Sequence, residues 1–273
     1  MLIEEGVDLL LIDESKKRGM EMFKKSLIFA LVFLLALAVP VSAAANYTYS
    51  KVTASNGVVL HAMKASPNDI KLKAISSNLK NQSSYGINGG FFGSGGTLLS
   101  IAVNNHVPAG GGSIGELYRG AVNVGYARGT LVWDAKASKY SVQVVKWASE
   151  LNVSDTSNYW AQGGISMRLS SDSTWKSQAT AENIPGGVNG TASGRSALVY
   201  NSGGNIWLVV TNTTCTPEQF RTAIKEKIGS GTLVDGIFLD GSGSSQMKTQ
   251  TSTGQVVEVT GDGRTVYQMV TFK

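Results

Sequence analysis

One cysteine, Cys215, and two histidines, His61 and His106, are all that the 273 residues offer in the way of thiol and imidazole chemistry. A lone thiol excludes an internal disulfide and a cysteine zinc cluster. Cys215 follows Asn212, Thr213 and Thr214 directly and precedes a helix cap, so a buried structural thiol or an incidental one, rather than a nucleophile, is expected there. The chain has no H-E-x-x-H and no G-x-x-x-x-G-K-[ST], which sets aside zinc hydrolases and P-loop nucleotide hydrolysis, and Asp240-Gly241-Ser242-Gly243-Ser244 does not match the G-x-S-x-G of nucleophile-elbow serine hydrolases. Charged residues make up only 16% of the chain, and no Lys/Arg cluster is interleaved with aromatics as nucleic-acid binding requires. There is no internal repeat and no interdomain linker. Stability must therefore come from core size, for which 42% hydrophobic residues in a chain of this length are sufficient.

Long apolar runs are equally scarce. The single example, Leu27 to Val39, is preceded by Lys24 and Lys25 and followed by Pro40, Val41, Ser42, Ala43, Ala44 and Ala45. A basic start, a stretch too short to cross a bilayer comfortably and a small-residue end describe a secretory signal peptide. Val41-Ser42-Ala43 and Ala43-Ala44-Ala45 both suit cleavage. Residues before Met20 do not fit a signal peptide, so translation is expected to begin at Met20 or Met22. The chain thus divides into residues 1–45, an upstream extension with the signal peptide, and residues 46–273. The expected location is secreted or cell-surface, with membrane association only through an uncleaved signal segment. Of the 24 basic and 19 acidic side chains, five and six lie in residues 1–45, which leaves a net charge of +6 on the remainder. A mildly basic exported protein is drawn to anionic polymers, including phosphate-bearing glycans.

From Tyr47 the pattern is mainly of strands. Val58 to Met63 and Ile70 to Ile75 read as strands, as do Leu98 to Val103, Gly120 to Gly125, Thr130 to Asp134 and Tyr140 to Lys146. Ser170 to Gly190 is polar and reads as a loop. One helix is firm: Thr216-Pro217-Glu218-Gln219 supplies a capping box with proline in the first turn, Phe220, Ala223, Ile224 and Ile228 repeat at helical spacing, and Gly229 ends it. Gln255 to Thr260 and Thr265 to Phe272 read as a closing hairpin around Gly261-Asp262-Gly263. Many strands, one firm helix and no βα alternation predict an α+β fold: a single sheet-rich domain with mostly antiparallel or mixed strands and few helices. Trp133 and Trp147 are expected in the core or on a sheet face, and His106 on the surface.

The chain is organised around Val234 to Met247, VDGIFLDGSGSSQM. Ile237, Phe238 and Leu239 form a buried strand that ends at Asp240, and glycines with small hydroxyl residues follow, able to turn tightly and aim N–H groups at one point. Other polar residues sit at glycine-rich strand ends: Asn88 in INGGFF, Gln162 in WAQGGISM, and Arg195 in GRSALVY, whose planar fork suits a phosphate or carboxylate.

These four stretches, in this order, resemble the phosphodiester glycosidase family over nearly all of the chain from Gly57 to the C-terminus. NGGFF together with LDGxGSS is the specific combination. His61, in VVLHAMKA, also stands where the family tends to carry a histidine on an early strand. Two positions depart from the pattern: Ser242 replaces a glycine, and Ile165 follows Gln162-Gly163-Gly164 where proline is common.

The resemblance implies hydrolysis of the bond between a sugar's anomeric carbon and a phosphodiester oxygen, with an N-acetylglucosamine-like sugar on a glycan or cell-envelope polymer as substrate. Arg195 would neutralise the phosphate. Asp240 would be the base that activates water, the nucleophile, or a support for positive charge on the sugar ring. Asn88 and Gln162 would hydrogen-bond sugar hydroxyls or the phosphate, and Ser244 and Ser245 would hold remaining oxygens. Gly89 and Gly241 would let the backbone approach the substrate, beside His61. No cofactor is implied, although Asp240 could take a divalent cation through oxygen. Two alternatives use the same residues differently: a non-catalytic module that binds phosphate-bearing wall polymers or exopolysaccharide, which does not need Asp240, and an enzyme acting on a polysaccharide or peptidoglycan bond without phosphate.

Overall fold

The computed structural model describes residues 46–273, with Met20 and Met22 upstream of them. The expected signal peptide and its cleavage sites lie outside the described residues. Ala45–Lys273 form one compact unit. Among the described residues no helix is long and apolar enough to cross a membrane.

The unit opens with β1 (Tyr47–Thr53) and β2 (Val59–Ala65), a hairpin whose turn places Gly57 at a φ of +82°. Next come β3 (Ile70–Ser77), β4 (Gly86–Asn88), β5 (Ala102–Asn104) and β6 (Val107–Pro108). β7 (Arg128–Asp134), β8 (Lys139–Val145), β9 (Tyr159–Gly163) and β10 (Ile165–Ser166) precede the first helix, α1 (Trp175–Ala181). β11 (Ser193–Asn201), β12 (Ile206–Cys215), α2 (Pro217–Lys227) and β13 (Leu233–Phe238) follow, and β14 (Gln246–Gln250), β15 (Val256–Thr260) and β16 (Val266–Phe272) complete the chain.

The strands form three sheets: six strands in the order β1-β2-β12-β11-β13-β10, and two of five strands, β15-β14-β4-β16-β3 and β6-β5-β9-β7-β8. Every pairing is antiparallel.

The six-stranded sheet is buried on both faces, which is why β11 and β12 read as continuous apolar runs rather than alternating ones. On one face Leu60, Ala62, Ala197, Val209 and Phe238 pack with Phe220, Ala223 and Ile224 of α2 and Trp175 of α1. On the other, Met63, Leu198, Leu208, Val210 and Ile237 meet Ile87, Met247 and Val270 of the second sheet and Leu131 and Trp160 of the third. The α2 cap forms as its sequence dictates: Thr216 Oγ1 accepts from the Gln219 N–H at 3.2 Å, and Gln219 Oε1 accepts from the Thr216 N–H at 2.9 Å. Cys215 and Trp133 are buried and His106 is exposed, as expected.

The sheet-rich, few-helix architecture agrees with the sequence, while several local readings change, among them Leu98 to Val103, of which only Ala102 and Val103 enter a strand, β5. Ser170 to Gly190 contains α1, whose Trp175 and Ala179, four residues apart, are buried among polar neighbours that mask the helical spacing. β15 and β16 do not pair with one another: β15 folds back on β14, and β16 crosses to lie between β4 and β3. Gly120 to Gly125 contributes only an isolated bridge from Val122 to Trp147 instead of a strand.

Candidate active site

The antiparallel register of β11 and β13 sets Ala197 opposite Phe238 and Leu198 opposite Ile237. The ladder continues beyond the regular strand, since the Leu239 N–H donates to Ser196 O at 2.9 Å. One further step places Arg195 opposite Asp240. Both share the parity of Ala197 and Phe238, so they fall on the helix-bearing face of the sheet.

Arg195 and Asp240 line one cavity of about 340 Å³. Its apolar side is made by Phe91, Ile165, Ile184, Pro185, Phe238 and Leu239, and its polar side by Thr191, Ser193, Arg195, Ser196, Asp240, Gly241 and Ser242. Asp240 is the one carboxylate of the lining and Arg195 the one guanidinium.

Burial pushes the Asp240 carboxyl up to about 6, against the opposing pull of a hydrogen bond from the Ser244 hydroxyl, the Gly241 N–H and the charge of Arg264. The Gly241 N–H reaches Asp240 Oδ1 at 3.1 Å. A carboxyl so placed changes charge near neutral pH, where a proton-transfer group is most effective. Arg195 donates from Nε to Cys215 O at 3.2 Å and from Nη2 to Thr191 O at 2.8 Å. Burial also lowers the pKa of the Arg195 guanidinium. No carboxylate pairs with Arg195 among the described residues, and Nη1 makes no hydrogen bond there. The fork is thus braced by backbone carbonyls with part of it left for an anion.

The other predicted residues are distributed unevenly. Asn88 is buried beneath the site with both polar atoms committed: Nδ2 donates to Asp240 O at 2.8 Å, while Oδ1 accepts from Ser196 Oγ at 2.7 Å and the Gln246 N–H at 3.1 Å. It fastens β4, β11 and the Asp240 strand end together and does not line the cavity. Gly89 does the same through its backbone, its carbonyl accepting from the Asp240 N–H at 3.2 Å. Gln162 is fully buried, donating from Nε2 to Ile101 O at 3.2 Å and Gly163 O at 2.9 Å and exchanging hydrogen bonds with the Gln268 amide. Ser244 and Ser245 are also buried; their N–H groups close tight turns to Gly241 O and Ser242 O. Ser244 therefore acts on Asp240 and not on the cavity, while Gly241 is in the lining itself.

His61 lies on β2 with the parity of Met63, on the sheet face opposite Arg195, with Nδ1 against Tyr49 Oη at 2.8 Å. Burial and Lys51 lower its pKa. The structure thus joins Asp240, Arg195 and Gly241 in the cavity, ranges Asn88, Gly89, Ser244 and Ser245 behind it, and keeps Gln162 and His61 away. Among the described residues no group of three or more His, Cys, Asp and Glu side chains converges as a metal site.

The cavity wall from Ile184 to Ser193 carried no motif in the sequence. Its signals, Pro185 and the glycines that follow, read only as a loop. Buried Gln268 was also missed; its Oε1 accepts from the Gly90 N–H at 2.6 Å and so links NGGFF to the Gln162 stretch.

The glycine pairs of both stretches have a steric cause. A Cβ at Gly89 would stand 2.3 Å from the Gln268 side chain, and one at Gly164 would stand 2.2 Å from Phe238 O. Ser242 has a φ of +57°, a backbone region that favours glycine, which accounts for a glycine at that position of the motif.

No family model matches the chain, and no curated protein matches its sequence. Solved structures do. The catalytic domain of zebrafish N-acetylglucosamine-1-phosphodiester alpha-N-acetylglucosaminidase, auto-inhibited by its pro-peptide, superposes with a TM-score of 0.56 at 14% identity, covering 83% of this chain and 82% of that one. A hypothetical protein from Synechocystis gives a TM-score of 0.47 at 14% identity, covering 83% of this chain and 61% of that one. At these identities the first match is a likeness of fold.

Proposed function

We propose that this chain is a hydrolase that cleaves the glycosidic bond between a sugar and a phosphodiester, as the enzyme with the similar fold is named for doing. The observation that carries the reading is the presence of Arg195 and Asp240 together in the lining of one cavity large enough for a sugar. Ordinary glycosidases flank the bond with two carboxyls, one of which protonates the leaving oxygen. Here the lining offers one carboxylate. A phosphate ester is already a fair leaving group, and Arg195 neutralises it, so the need for a second carboxyl falls away. Asp240 in its ionised form then activates water or attacks the anomeric carbon. The apolar wall of Phe91, Ile165 and Phe238 receives the less polar face of the sugar.

The test is release of free sugar from a sugar-1-phosphodiester, with Asp240→Asn and Arg195→Ala each expected to lower turnover at least ~10²-fold, the scale of positioned acid/base and electrostatic groups. Turnover by both variants at the wild-type rate would overturn the assignment. Binding of the phosphodiester without release would point instead to a non-catalytic carbohydrate module.

A further inference from the structure

Arg128 carries a charge that the site described above does not use. It begins β7 and is only 7% exposed. Its Nε donates to Glu182 O at 3.0 Å, and its guanidinium carbon lies 4.9 Å from the centroid of the Phe91 ring and 5.4 Å from that of Tyr126. A buried guanidinium is ordinarily matched by a carboxylate. Glu182 is the carboxylate at hand, and its charge opposes the lowering of the Arg128 pKa by burial, but its oxygens make their hydrogen bonds elsewhere: Oε2 accepts from the N–H groups of Gly129 at 2.8 Å and Ser166 at 2.7 Å, and Oε1 accepts from Gln178 Nε2 at 2.8 Å. Among the described residues Arg128 forms no salt bridge, and Nη1 and Nη2 make no hydrogen bond.

Arg128 is not itself in the cavity lining, but two ties connect its guanidinium to residues that are. Phe91, on which it stacks, lines the cavity, and so does Ile184, two residues beyond the Glu182 carbonyl that Nε holds. A planar fork held by two ring faces and one carbonyl, with its outer nitrogens unspent, is preorganised for a planar or tetrahedral oxyanion.

We infer that Arg128 is a second anion-binding residue, taking a phosphate or carboxylate oxygen pair through Nη1 and Nη2. Taken with the proposed function, on which this extension rests, the substrate is a glycan that carries a second oxyanion beyond the scissile phosphodiester. Arg195 serves the bond that breaks, and Arg128 serves the neighbouring charged group.

The experiment follows the Arg128 guanidinium by nitrogen-15 NMR in the wild-type protein, its resonance assigned from Arg128→Lys, during titration with inorganic phosphate and, separately, with glucuronate. A saturable shift with either anion supports the inference and says whether the second group is phosphate or carboxylate. An Arg128 resonance unmoved by both overturns it. Calorimetry adds a second readout: Arg195→Ala retains binding of the effective anion, and adding Arg128→Gln weakens it at least ~10-fold, the loss of one charge-assisted hydrogen bond. Should Arg128→Gln fail to fold, the wild-type titration still decides. None of these measurements depends on turnover, so a wild-type protein that binds anions at Arg128 but releases no sugar would sink the glycosidase reading and leave this one standing.

Discussion

Replacing Asp240 with asparagine is expected to stabilise the protein at neutral pH while abolishing its proposed activity. In the folded state burial raises the Asp240 carboxyl from 3.8 to about 6. The native state therefore binds this proton more tightly than the unfolded chain does. The contribution to stability is greatest below pH 3.8, falls as pH rises to about 6, and is constant above that. Over that window the rise amounts to about 3 kcal/mol of destabilisation from the ionised group. Asparagine keeps an oxygen for the Gly241 N–H and the Ser244 hydroxyl but has no charge to desolvate. Urea denaturation of both proteins between pH 4 and pH 7 measures the effect. Any fixed offset between a protonated carboxyl and an amide cancels when the two pH values are compared. Asp235, whose carboxyl burial also raises, titrates in both proteins and cancels too. The advantage of Asp240→Asn should grow by about 2–3 kcal/mol from pH 4 to pH 7. An advantage that is flat across this range, or that shrinks, would refute the claim that desolvation of Asp240 governs the site.

If ionised Asp240 is the working form, kcat/KM should rise with pH through about 6, and Asp240→Asn should lose that limb along with its activity. Asn88→Ala strands Ser196 Oγ, the Gln246 N–H and the Asp240 carbonyl in the interior, so denaturation should show a loss of about 3 kcal/mol or more, since each of these orphaned buried groups costs about 1–3 kcal/mol. Gly164→Ala forces a methyl against Phe238 O, and thermal melting should report a loss of about 1–3 kcal/mol from overpacking. Ser242→Gly relieves a residue at a φ of +57° and should leave stability unchanged or raise it by up to about 1 kcal/mol, read by the same melts.

Local rules made much of the fold legible. The helix α2 could be read end to end because its cap, its apolar spacing and its terminal glycine all agree, and the structure satisfies each of them. The short helix α1 could not, because only two of its residues face the core and seven residues allow no clear period. The partners of β16 were hidden for a different reason. A turn such as Gly261-Asp262-Gly263 argues for a hairpin, but the Asp262 N–H donates to Gly243 O at 3.2 Å, so that turn packs on the glycine-serine loop and steers β16 away to β4 and β3. Long-range burial on β4 and β3 outweighed the local turn signal.

The same division explains which site residues the sequence could give. Arg195 and Asp240 stood out because each flanks an apolar run, residues 196–200 and 237–239, and the antiparallel register of those runs carries both flanks to the same end of the sheet. Asn88 and Gln162 stood out for the same reason, a polar side chain beside paired glycines, yet the structure spends both on the interior. Asn88 holds the backbone of Asp240, and Gln162 is bound through Gln268 to Gly90. Paired glycines mark places where backbones come too close for a Cβ, and a buried amide is what satisfies the carbonyls exposed there. A motif of this kind therefore records how the cavity floor is assembled. The wall from Ile184 to Ser193 and Arg128, to which the proposals above give substrate contacts, lie elsewhere in the chain. Neither is flanked by a recognisable motif, and Arg128 is held by a contact that no local pattern announces, its Nε on Glu182 O. Exchanging the wall residues Ile184 and Pro185 should change which sugar is accepted, whereas exchanging Asn88 should change whether the protein folds.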